Sequence, residues 1–368
     1  TIYGKGINSL KKPEKPIYLG NSGTSARLLT GLLSNQKFNT ILEGDKSLSK
    51  RPMKRITYPL SLMGGQFESQ SGTLPLKIIG NELKNIQHKI SIPSAQIKSG
   101  LILAALNTIG KTEITEENIT RNHTETMLKS FGAKITTKED ASGSLISILG
   151  KNELISKNIS VPSDLSSAAF FIVAALINEN SKLTLEGINI NPTRDGILRA
   201  LKLMGAKINI ENERFINEEK IADLTINHSK LKGCELDGDI AKLMIDEFPI
   251  LAVAASFAKT PSKFYGLKEL RVKESDRLEL IRHNLENCGI HCEIEDENLF
   301  INPNKKFELK NNIIKTDYDH RIAMAFAVMG SKLGKDLKIE DEESIHTSFP
   351  NFTESFNNAG GKLGTNIE

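Results

Sequence analysis

The stretch LKLMGAKI at residues 201–208 indicates a repeated structural unit, because its pattern recurs four more times along the chain. The other copies are LSLMGGQF at 60–67, LKSFGAKI at 128–135, LENCGIHC at 285–292 and FNNAGGKL at 356–363. In each copy a helical segment runs into a glycine, and a short alternation of apolar and polar residues follows. Glycine suits the left-handed position that ends a helix, and the alternation is typical of a half-buried strand. We therefore predict a repeated helix–strand unit.

A second kind of helix lies between these copies, opened by a polar cluster and filled with Ala, Leu, Ile and Val. Its five examples are residues 21–33, 94–106, 163–177, 246–258 and 319–333. The last four are apolar on nearly every face, which predicts buried helices rather than amphipathic surface helices. Helix starts carry unpaired N–H groups and partial positive charge, so several starts directed at one cleft would attract anions. Taken singly, each polar cluster can also be a simple helix cap.

The two patterns alternate about every 70–80 residues, a spacing larger than that of a solenoid repeat. We interpret each unit as a small βαβαββ fold with one buried and one exposed helix. The protein is then of the α/β (α+β) class, with five units visible. No linker rich in Pro, Gly or Ser marks a domain boundary, and the best candidate is the segment 151–161. The predicted domains are residues 1–158 and 159–368.

Composition narrows the classes of function. The 368 residues are 39% hydrophobic and 25% charged with a net charge of +3, which is ordinary for a globular protein of two domains. Aromatic residues make up 5% and no basic run is interleaved with them, which argues against a nucleic-acid partner. The three cysteines lack CxxC or zinc spacing, which fits a reducing cytoplasm and predicts no metal site. No apolar run reaches the length of a membrane span and no signal peptide is visible. Because the chain starts at Thr1 without an initiator Met, we expect that something upstream is absent.

Residues 19–27, LGNSGTSAR, form a candidate phosphate site. Gly20 and Gly23 allow the backbone to approach a ligand closely, hydroxyl side chains lie at a helix start, and Arg27 adds charge one turn later. The stretch is not a Walker A loop, because no GK[ST] follows. A glycine-rich turn with an ordinary helix cap is the alternative. Further along, Arg51 precedes a proline that keeps it out of a helix, although an exposed arginine is usually just solvated.

Charged residues cluster at 271–277, RVKESDR. If this run is helical, Lys273 and Arg277 share one face at i,i+4, with Glu274 beside Lys273. Dense alternating charge is usually a solvated face. Apolar residues bracket this run, however, and an Ala-rich helix precedes it, so a functional site is the alternative.

Two apolar helices open with charged residues. The sequence DYDHR at 317–321 places Arg321 where a positive charge opposes the helix dipole, which indicates function rather than stabilisation. The sequence MIDEFP at 244–249 places Asp246 at another helix start, where aspartate is a favoured cap. In a cleft lined by Lys and Arg, the same carboxylate would stay ionised and could act as a base.

Together these motifs resemble one enzyme family. LGNSGTSAR, SLSKRP, SAQ at 94–96, TRNHTE at 120–125, IDEFPILAVAA, LRVKESDRL, DHRIAMAFAV and TSFP at 347–350 occur in that order. The chain is similar to the 5-enolpyruvylshikimate-3-phosphate synthases (3-phosphoshikimate 1-carboxyvinyltransferases) from about residue 4 to residue 361. The combination of LRVKESDRL, DHR and LGNSGT is highly specific for this family.

The resemblance implies a fold and a reaction. The family has two domains of three βαβαββ units that close on the substrates, and it transfers the enolpyruvyl group of phosphoenolpyruvate to shikimate 3-phosphate with release of phosphate. It implies no metal or organic cofactor, a cytoplasmic monomer, and a step of chorismate and aromatic amino-acid synthesis. It also implies sensitivity to glyphosate, because members with Ala at the position of Gly23 resist that herbicide.

Matched motif by motif, the resemblance assigns the site residues. The phosphoenolpyruvate contacts are Gly23, Arg51, Gln96, Arg277 and Arg321. The shikimate-phosphate contacts are Ser94, Ala95, Gln96, Arg121, Asp246 and Lys273. Asp246 resembles the proton acceptor and Glu274 a second carboxylate in proton transfer, with Lys273 beside it as the third catalytic candidate.

Departures from the family pattern leave alternatives open. The family's N-terminal segment, with a Lys-Ser pair and a following Asn-Arg, has no counterpart, and five of six units are visible. We therefore expect a cleft that lacks part of one wall. One alternative is a UDP-N-acetylglucosamine enolpyruvyl transferase, which usually carries a reactive Cys in its first domain, whereas the first Cys here is Cys234. The other is a catalytically incomplete anion-binding fragment.

Overall fold

A computed structural model describes residues 1–6, 9–304 and 307–364. Two units divide the chain: the first comprises Thr1–Ser160 and Asn217–Glu219, and the second comprises Val161–Ile216 and Lys220–Glu368. The predicted domains, 1–158 and 159–368, divide the chain nearby but do not set the segment 217–219 apart. That division therefore stays a prediction.

The first unit contains two copies of the predicted βαβαββ fold. The first copy consists of β1 (Ile17–Tyr18), α1 (Gly23–Ser34), β2 (Thr40–Glu43), α2 (Lys54–Leu62), β3 (Gln66–Glu68) and β4 (Leu76–Ile79). The second consists of β5 (Gln87–Ile90), α3 (Ala95–Ala105), β6 (Lys111–Glu116), α4 (His123–Ser130), β7 (Ile135–Asp140) and β8 (Gly143–Leu149). The strand orders are β1-β2-β4-β3 and β5-β6-β8-β7. In each sheet the first pair is parallel and the others are antiparallel, so the two copies are structural repeats.

The second unit contains three further sheets in its described residues. The first has β9 (Lys182–Asn189), β10 (Lys207–Ile216) and β11 (Glu219–Asn227), with helices α5 (Leu165–Ile177) and α6 (Gly196–Leu203). The next has β12 (Glu235–Leu236), β13 (Ser262–Phe264), β14 (His291–Glu295) and β15 (Asn298–Asn302), with α7 (Gly238–Lys242), α8 (Phe248–Ser256) and α9 (Arg277–Asn287). The last is a parallel pair, β16 (Ile313–Ile314) and β17 (Lys338–Ile339), with α10 (His320–Leu333) and α11 (Phe352–Asn358). The described ranges thus hold five sheets, one for each predicted unit.

Glycines end the repeated helices, as their motif predicts. In all five copies a glycine adopts a positive φ between 81° and 99°, namely Gly64, Gly132, Gly205, Gly289 and Gly360. A side chain at such a φ would be strained, which is why this position of the repeat keeps glycine.

The apolar helices are buried, as their sequences predict. All nine residues of α8 and eleven of the thirteen in α5 are buried. In the second unit α5, α8 and α10 pack against one another, and in the first unit α1 packs on α3 so closely that a Cβ on Gly31 would overlap the Gly100 carbonyl. Each fully buried Leu, Ile or Phe contributes about 1.5–3 kcal/mol, so this packing dominates the stability of both units.

Candidate active site

The first unit brings the starts of its two central helices together. Ser22 caps α1 and Ser94 caps α3, each by accepting a backbone N–H. Gln96 Nε2 donates to Thr24 Oγ1 at 3.0 Å, which links the two starts. The predicted contacts Ser94, Ala95 and Gln96 are half-buried, and neither helix has an acidic residue in its first turn. The partial positive charge of both starts is therefore not neutralised from within these helices.

Arg27 and Arg51 lie side by side at the start of α1. Arg27 is 9% exposed and donates to the backbone oxygens of Gly23 at 3.0 Å and Pro52 at 3.3 Å. Burial, together with nearby Arg51 and Arg55, lowers the pKa of Arg27 to about 10. In the described part of the chain, the hydrogen bonds of Arg27 and Arg51 go to carbonyl or amide oxygens and not to a carboxylate. This cluster favours an incoming anion with more than one negative charge.

Gly23 lies in contact range of both guanidinium groups. A Cβ at this position would lie 2.6 Å from Arg27 Nη1 and 3.2 Å from Arg51 Nη1. Arg51 has extended backbone angles, φ −78° and ψ 134°, as the following proline predicts. Gly20 has a positive φ of 55°. Gly20 therefore permits the turn and Gly23 permits the close approach of the two guanidinium groups, while the predicted close approach of a ligand stays a prediction.

A buried ion cluster underlies the loop that carries Arg121. Arg121 is half-buried between β6 and α4. Lys98 Nζ lies 2.8 Å from a Glu116 oxygen and 2.8 Å from a Glu125 oxygen, and the three side chains are at most 6% exposed. Burial raises the pKa of Glu125 and Glu116 adds to the shift, although Lys98 opposes it. The sequence does not single out this cluster, because a lone Lys in an apolar helix is normally solvated.

In the second unit, Asp246 lies between two cations. It occupies a 3-10 turn, Ile245–Glu247, that leads into α8, and its side chain does not cap that helix. Asp246 Oδ1 is instead 3.1 Å from Lys273 Nζ and 3.2 Å from Arg277 Nη1. This geometry contradicts the alternative of a simple helix cap and agrees with a carboxylate in a cationic site.

The run 271–277 is not one helix, so the expected i,i+4 pairing of Lys273 and Arg277 is wrong. A 3-10 turn, Lys268–Val272, ends before Lys273, and α9 begins only at Arg277. The physical reason is Asp276, which caps α9 through its side chain and thereby interrupts any continuous helix. Lys273 and Arg277 are brought together by a shared carboxylate rather than by helical spacing.

Arg277 is the most heavily paired group of this unit. It is 1% exposed, and its guanidinium contacts Asp319 at 2.7 Å, Glu274 at 2.5 Å and Asp246 at 3.2 Å. Burial lowers the pKa of Arg277, but Asp319 and Glu274 outweigh this effect and raise the pKa. Burial likewise raises the pKa of Asp319, but Arg277 outweighs it, and the pKa is lowered. Asp319 also accepts from Ser275 Oγ at 2.9 Å and caps α10, so it fixes Arg277 at that helix start.

Arg321 joins the starts of three buried helices. Its Nη1 donates to Ser166 Oγ in α5 at 2.7 Å and to the backbone oxygen of Asp246, just before α8, at 3.2 Å. The same nitrogen is 3.6 Å from Glu247 Oε1, and Ser166 donates a hydrogen bond to Glu247. Arg321 itself lies in the first turn of α10. The charge that opposes the helix dipole is therefore held by a buried carboxylate and a hydroxyl.

Ser166 and Glu247 belong to this site, and the sequence interpretation missed them. Glu247 is 2% exposed, which is unusual for a carboxylate and could not be deduced from its helix-start position. The one available signal was its place directly after Asp246 and before an unbroken apolar run. Within the described ranges, no group of three His, Cys, Asp or Glu side chains could hold a metal ion, and no helix is long and apolar enough to cross a membrane.

The family model for EPSP synthase (3-phosphoshikimate 1-carboxyvinyltransferase) matches residues 1–356. This chain belongs to the EPSP synthase family. The 3-phosphoshikimate 1-carboxyvinyltransferase of Ruthia magnifica subsp. Calyptogena magnifica is 46% identical over 361 residues, covering 98% of this chain and 82% of the relative. That of Thermoanaerobacter sp. (strain X514) is 44% identical over 356 residues, covering 96% of this chain and 82% of the relative.

Solved structures agree with this assignment. The EPSP synthase of Acinetobacter baumannii is 44% identical with a TM-score of 0.86, covering 97% of this chain and 81% of that one. The enolpyruvyl transferase NikO from Streptomyces tendae is 15% identical with a TM-score of 0.70, covering 91% of this chain and 76% of that one, and shows likeness of fold alone. The predicted family, the enolpyruvyl transferase fold and the 3-phosphoshikimate 1-carboxyvinyltransferase activity are thus confirmed. The roles assigned to individual residues stay predictions.

Proposed function

We propose that this chain transfers the enolpyruvyl group of phosphoenolpyruvate to shikimate 3-phosphate, giving 5-enolpyruvylshikimate 3-phosphate and phosphate. The observation that carries the proposal is Asp246, a carboxylate held 3.1 Å from Lys273 and 3.2 Å from Arg277. The reaction needs a base for the ring hydroxyl in surroundings that also bind phosphate and carboxylate groups. A carboxylate between two cations meets both requirements.

The cations of each unit suit the charge of the substrates. Phosphoenolpyruvate and shikimate 3-phosphate each carry one phosphate and one carboxylate, and arginine binds both groups through paired hydrogen bonds. We assign phosphoenolpyruvate to Gly23, Arg51 and Gln96 of the first unit and to Arg277 and Arg321 of the second. We assign shikimate 3-phosphate to Ser94, Ala95, Gln96 and Arg121 of the first unit and to Asp246 and Lys273 of the second.

The chemistry follows from the carboxylates of the second unit. Asp246 accepts the proton of the attacking ring hydroxyl, whose oxygen forms a bond to C2 of phosphoenolpyruvate. Glu274, which lies 2.5 Å from Arg277 and is protonated at the start of the turnover, delivers that proton to the methylene carbon. The tetrahedral intermediate then breaks its C–O bond to phosphate, which leaves with the proton held by Asp246. A proton of the new methyl group returns to Glu274, and the double bond is restored. Positioning and charge stabilisation provide most of the acceleration, with Lys273 beside the base.

The cellular setting is part of the proposal. A step of chorismate and aromatic amino-acid synthesis places the enzyme in the cytoplasm, acting on two small molecules as a monomer. We propose no nucleic-acid or membrane partner and no cofactor, since the substrates and side chains supply every group that the reaction requires.

Phosphate release tests the function. The chain should release phosphate from phosphoenolpyruvate only when shikimate 3-phosphate is also present, and not when UDP-N-acetylglucosamine replaces it. Release with the nucleotide sugar would favour the other enolpyruvyl transferase activity. Binding of shikimate 3-phosphate without any turnover would favour an anion-binding role instead.

A further inference from the structure

The buried cluster of Lys98, Glu116 and Glu125 contacts the loop between β6 and α4. Lys98 lies in α3, just after the start that carries Ser94 and Gln96, whereas Glu116 ends β6 and Glu125 lies in the first turn of α4. Three elements of the first unit, α3, β6 and α4, therefore meet at one ammonium group. An ammonium and two carboxylates that are at most 6% exposed are costly to bury and are kept only where they are paired.

Thr120 is the loop residue that forms hydrogen bonds with this cluster. Lys98 Nζ donates to the Thr120 backbone oxygen at 3.1 Å. The Thr120 hydroxyl donates to Glu116 Oε2 at 2.7 Å. Both the backbone and the side chain of the residue that precedes Arg121 are thus fixed to buried charges. Hydrogen bonds to charged groups are stronger than hydrogen bonds between neutral groups. These two bonds therefore restrain a loop that has no regular secondary structure.

The other oxygen of Glu116 is also occupied, which leaves that carboxylate little freedom to move. Glu116 Oε1 accepts from Lys98 at 2.8 Å and from Ser144 Oγ at 3.1 Å. One residue beyond Lys98, the Ser99 hydroxyl bonds to the Thr124 hydroxyl at 2.6 Å, a second tie between α3 and the start of α4. The cluster is therefore held rigidly in place, and it positions the loop between β6 and α4.

We propose that Lys98, Glu116 and Thr120 form a positioning clamp that sets Arg121 relative to Ser94 and Gln96 for shikimate 3-phosphate. This inference rests on the proposed function. The three clamp residues touch no substrate and act through the loop. Loosening the clamp should weaken the binding of shikimate 3-phosphate while the affinity for phosphoenolpyruvate, which does not depend on Arg121, stays the same.

Thr120→Val tests the clamp, because it removes the hydroxyl but keeps the size and β-branching of the side chain. We expect amide hydrogen exchange of the loop 117–122 to become faster. Calorimetric titration should show affinity for shikimate 3-phosphate about 3- to 10-fold weaker, less than a full charge-assisted hydrogen bond because Thr120 acts only through the loop. Thr120→Ser, which keeps the hydroxyl, should restore both values. If Thr120 only stabilised the fold, Thr120→Val would lower the melting temperature, but it would not selectively weaken the affinity for shikimate 3-phosphate, and Thr120→Ser would have no selective loss to restore.

Thr112→Val is the matched control. Thr112 lies on β6, the strand that ends at Glu116, and its buried hydroxyl has no hydrogen-bond partner among the described residues. Its removal should leave loop exchange and substrate affinity at the parental values. The clamp is refuted if Thr120→Val exchanges as slowly as Thr112→Val, or if the loop loosens and the affinity for shikimate 3-phosphate is unchanged. A parent chain that does not bind shikimate 3-phosphate would refute the proposed function by itself, and loop exchange alone would then decide whether the clamp exists.

Discussion

Replacing Gly23 with Ala should weaken phosphoenolpyruvate binding without unfolding the protein. The new Cβ would lie 2.6 Å from Arg27 Nη1 and 3.2 Å from Arg51 Nη1. Arg27, which is buried and donates to the Gly23 carbonyl at 3.0 Å, must shift to relieve the 2.6 Å contact. Arg51, whose Nη2 donates to Asn21 Oδ1 at 2.6 Å, must give by only a few tenths of an ångström. The expected consequence is a displaced guanidinium at the start of α1.

The magnitude follows from these contacts. Disturbing this pair of guanidinium groups costs one charge-assisted hydrogen bond to the bound anion, about 1.5–3 kcal/mol, which corresponds to roughly 10- to 100-fold weaker affinity. The free energy of unfolding should change far less. Ala lowers the entropy of the unfolded chain relative to Gly, which stabilises by about 0.4–1 kcal/mol and offsets part of the cost of moving the arginines.

Steady-state kinetics with each substrate varied provide the assay, and Gly238→Ala is the matched control. Gly238 also begins a helix, α7, after a capping aspartate, but a Cβ there would meet nothing within 4 Å. We expect KM for phosphoenolpyruvate to rise in Gly23→Ala and to stay at the parental value in Gly238→Ala. If KM for phosphoenolpyruvate in Gly23→Ala is within twofold of the parent, the assignment of Gly23 and Arg51 to this substrate is wrong.

Three further predictions concern single carboxylates. Asp246→Asn should lower kcat about 10²- to 10⁴-fold with an unchanged circular dichroism spectrum, because the proposed base is lost; a decrease of less than tenfold in a kcat assay would contradict that role. Glu247→Gln removes the buried charge 3.6 Å from Arg321, so KM for phosphoenolpyruvate should rise about tenfold while calorimetric affinity for shikimate 3-phosphate stays constant; equal changes for both substrates would argue against it. Burial raises the folded-state pKa of Glu125 above its ordinary 4.5, so its contribution to stability is present below that value and is lost as pH rises through the folded pKa. Glu125→Gln should therefore have a larger free energy of unfolding than the parent at pH 8 and lose that advantage near pH 4.5. Urea unfolding that shows no such pH dependence would refute a raised pKa for Glu125.

Much of the fold could be predicted because it rests on local rules. The positive φ of Gly132 and Gly205 follows from the need to end a helix, and the burial of α8 follows from its lack of a polar face. The arrangement at 271–277 could not be predicted in the same way. Asp276 caps α9 through a local hydrogen bond, but Lys273 and Arg277 meet at Asp246, a carboxylate distant in sequence.

Site residues could be predicted where a sequence motif contains an unusual charge. They could not be predicted where their importance comes from burial in the folded protein. Arg321 stands out because it opposes a helix dipole, and the structure shows Ser166 and Glu247 holding it. Glu247 and Lys98 do not stand out, because glutamate and lysine are usually solvated. Only tertiary packing buries these two side chains. Buried charge is a property of the assembled fold rather than of a local pattern.

Carbon-13 NMR with phosphoenolpyruvate labelled at C2 follows the transfer of the enolpyruvyl group itself. Incubation of the chain with the labelled substrate and shikimate 3-phosphate should convert the label into an enol ether whose carbon is bonded to the ring oxygen, with one phosphate released for each ether formed. Asp246→Asn should form the ether far more slowly under the same conditions. Label that remains in phosphoenolpyruvate, or that appears as pyruvate without an ether, would contradict the account.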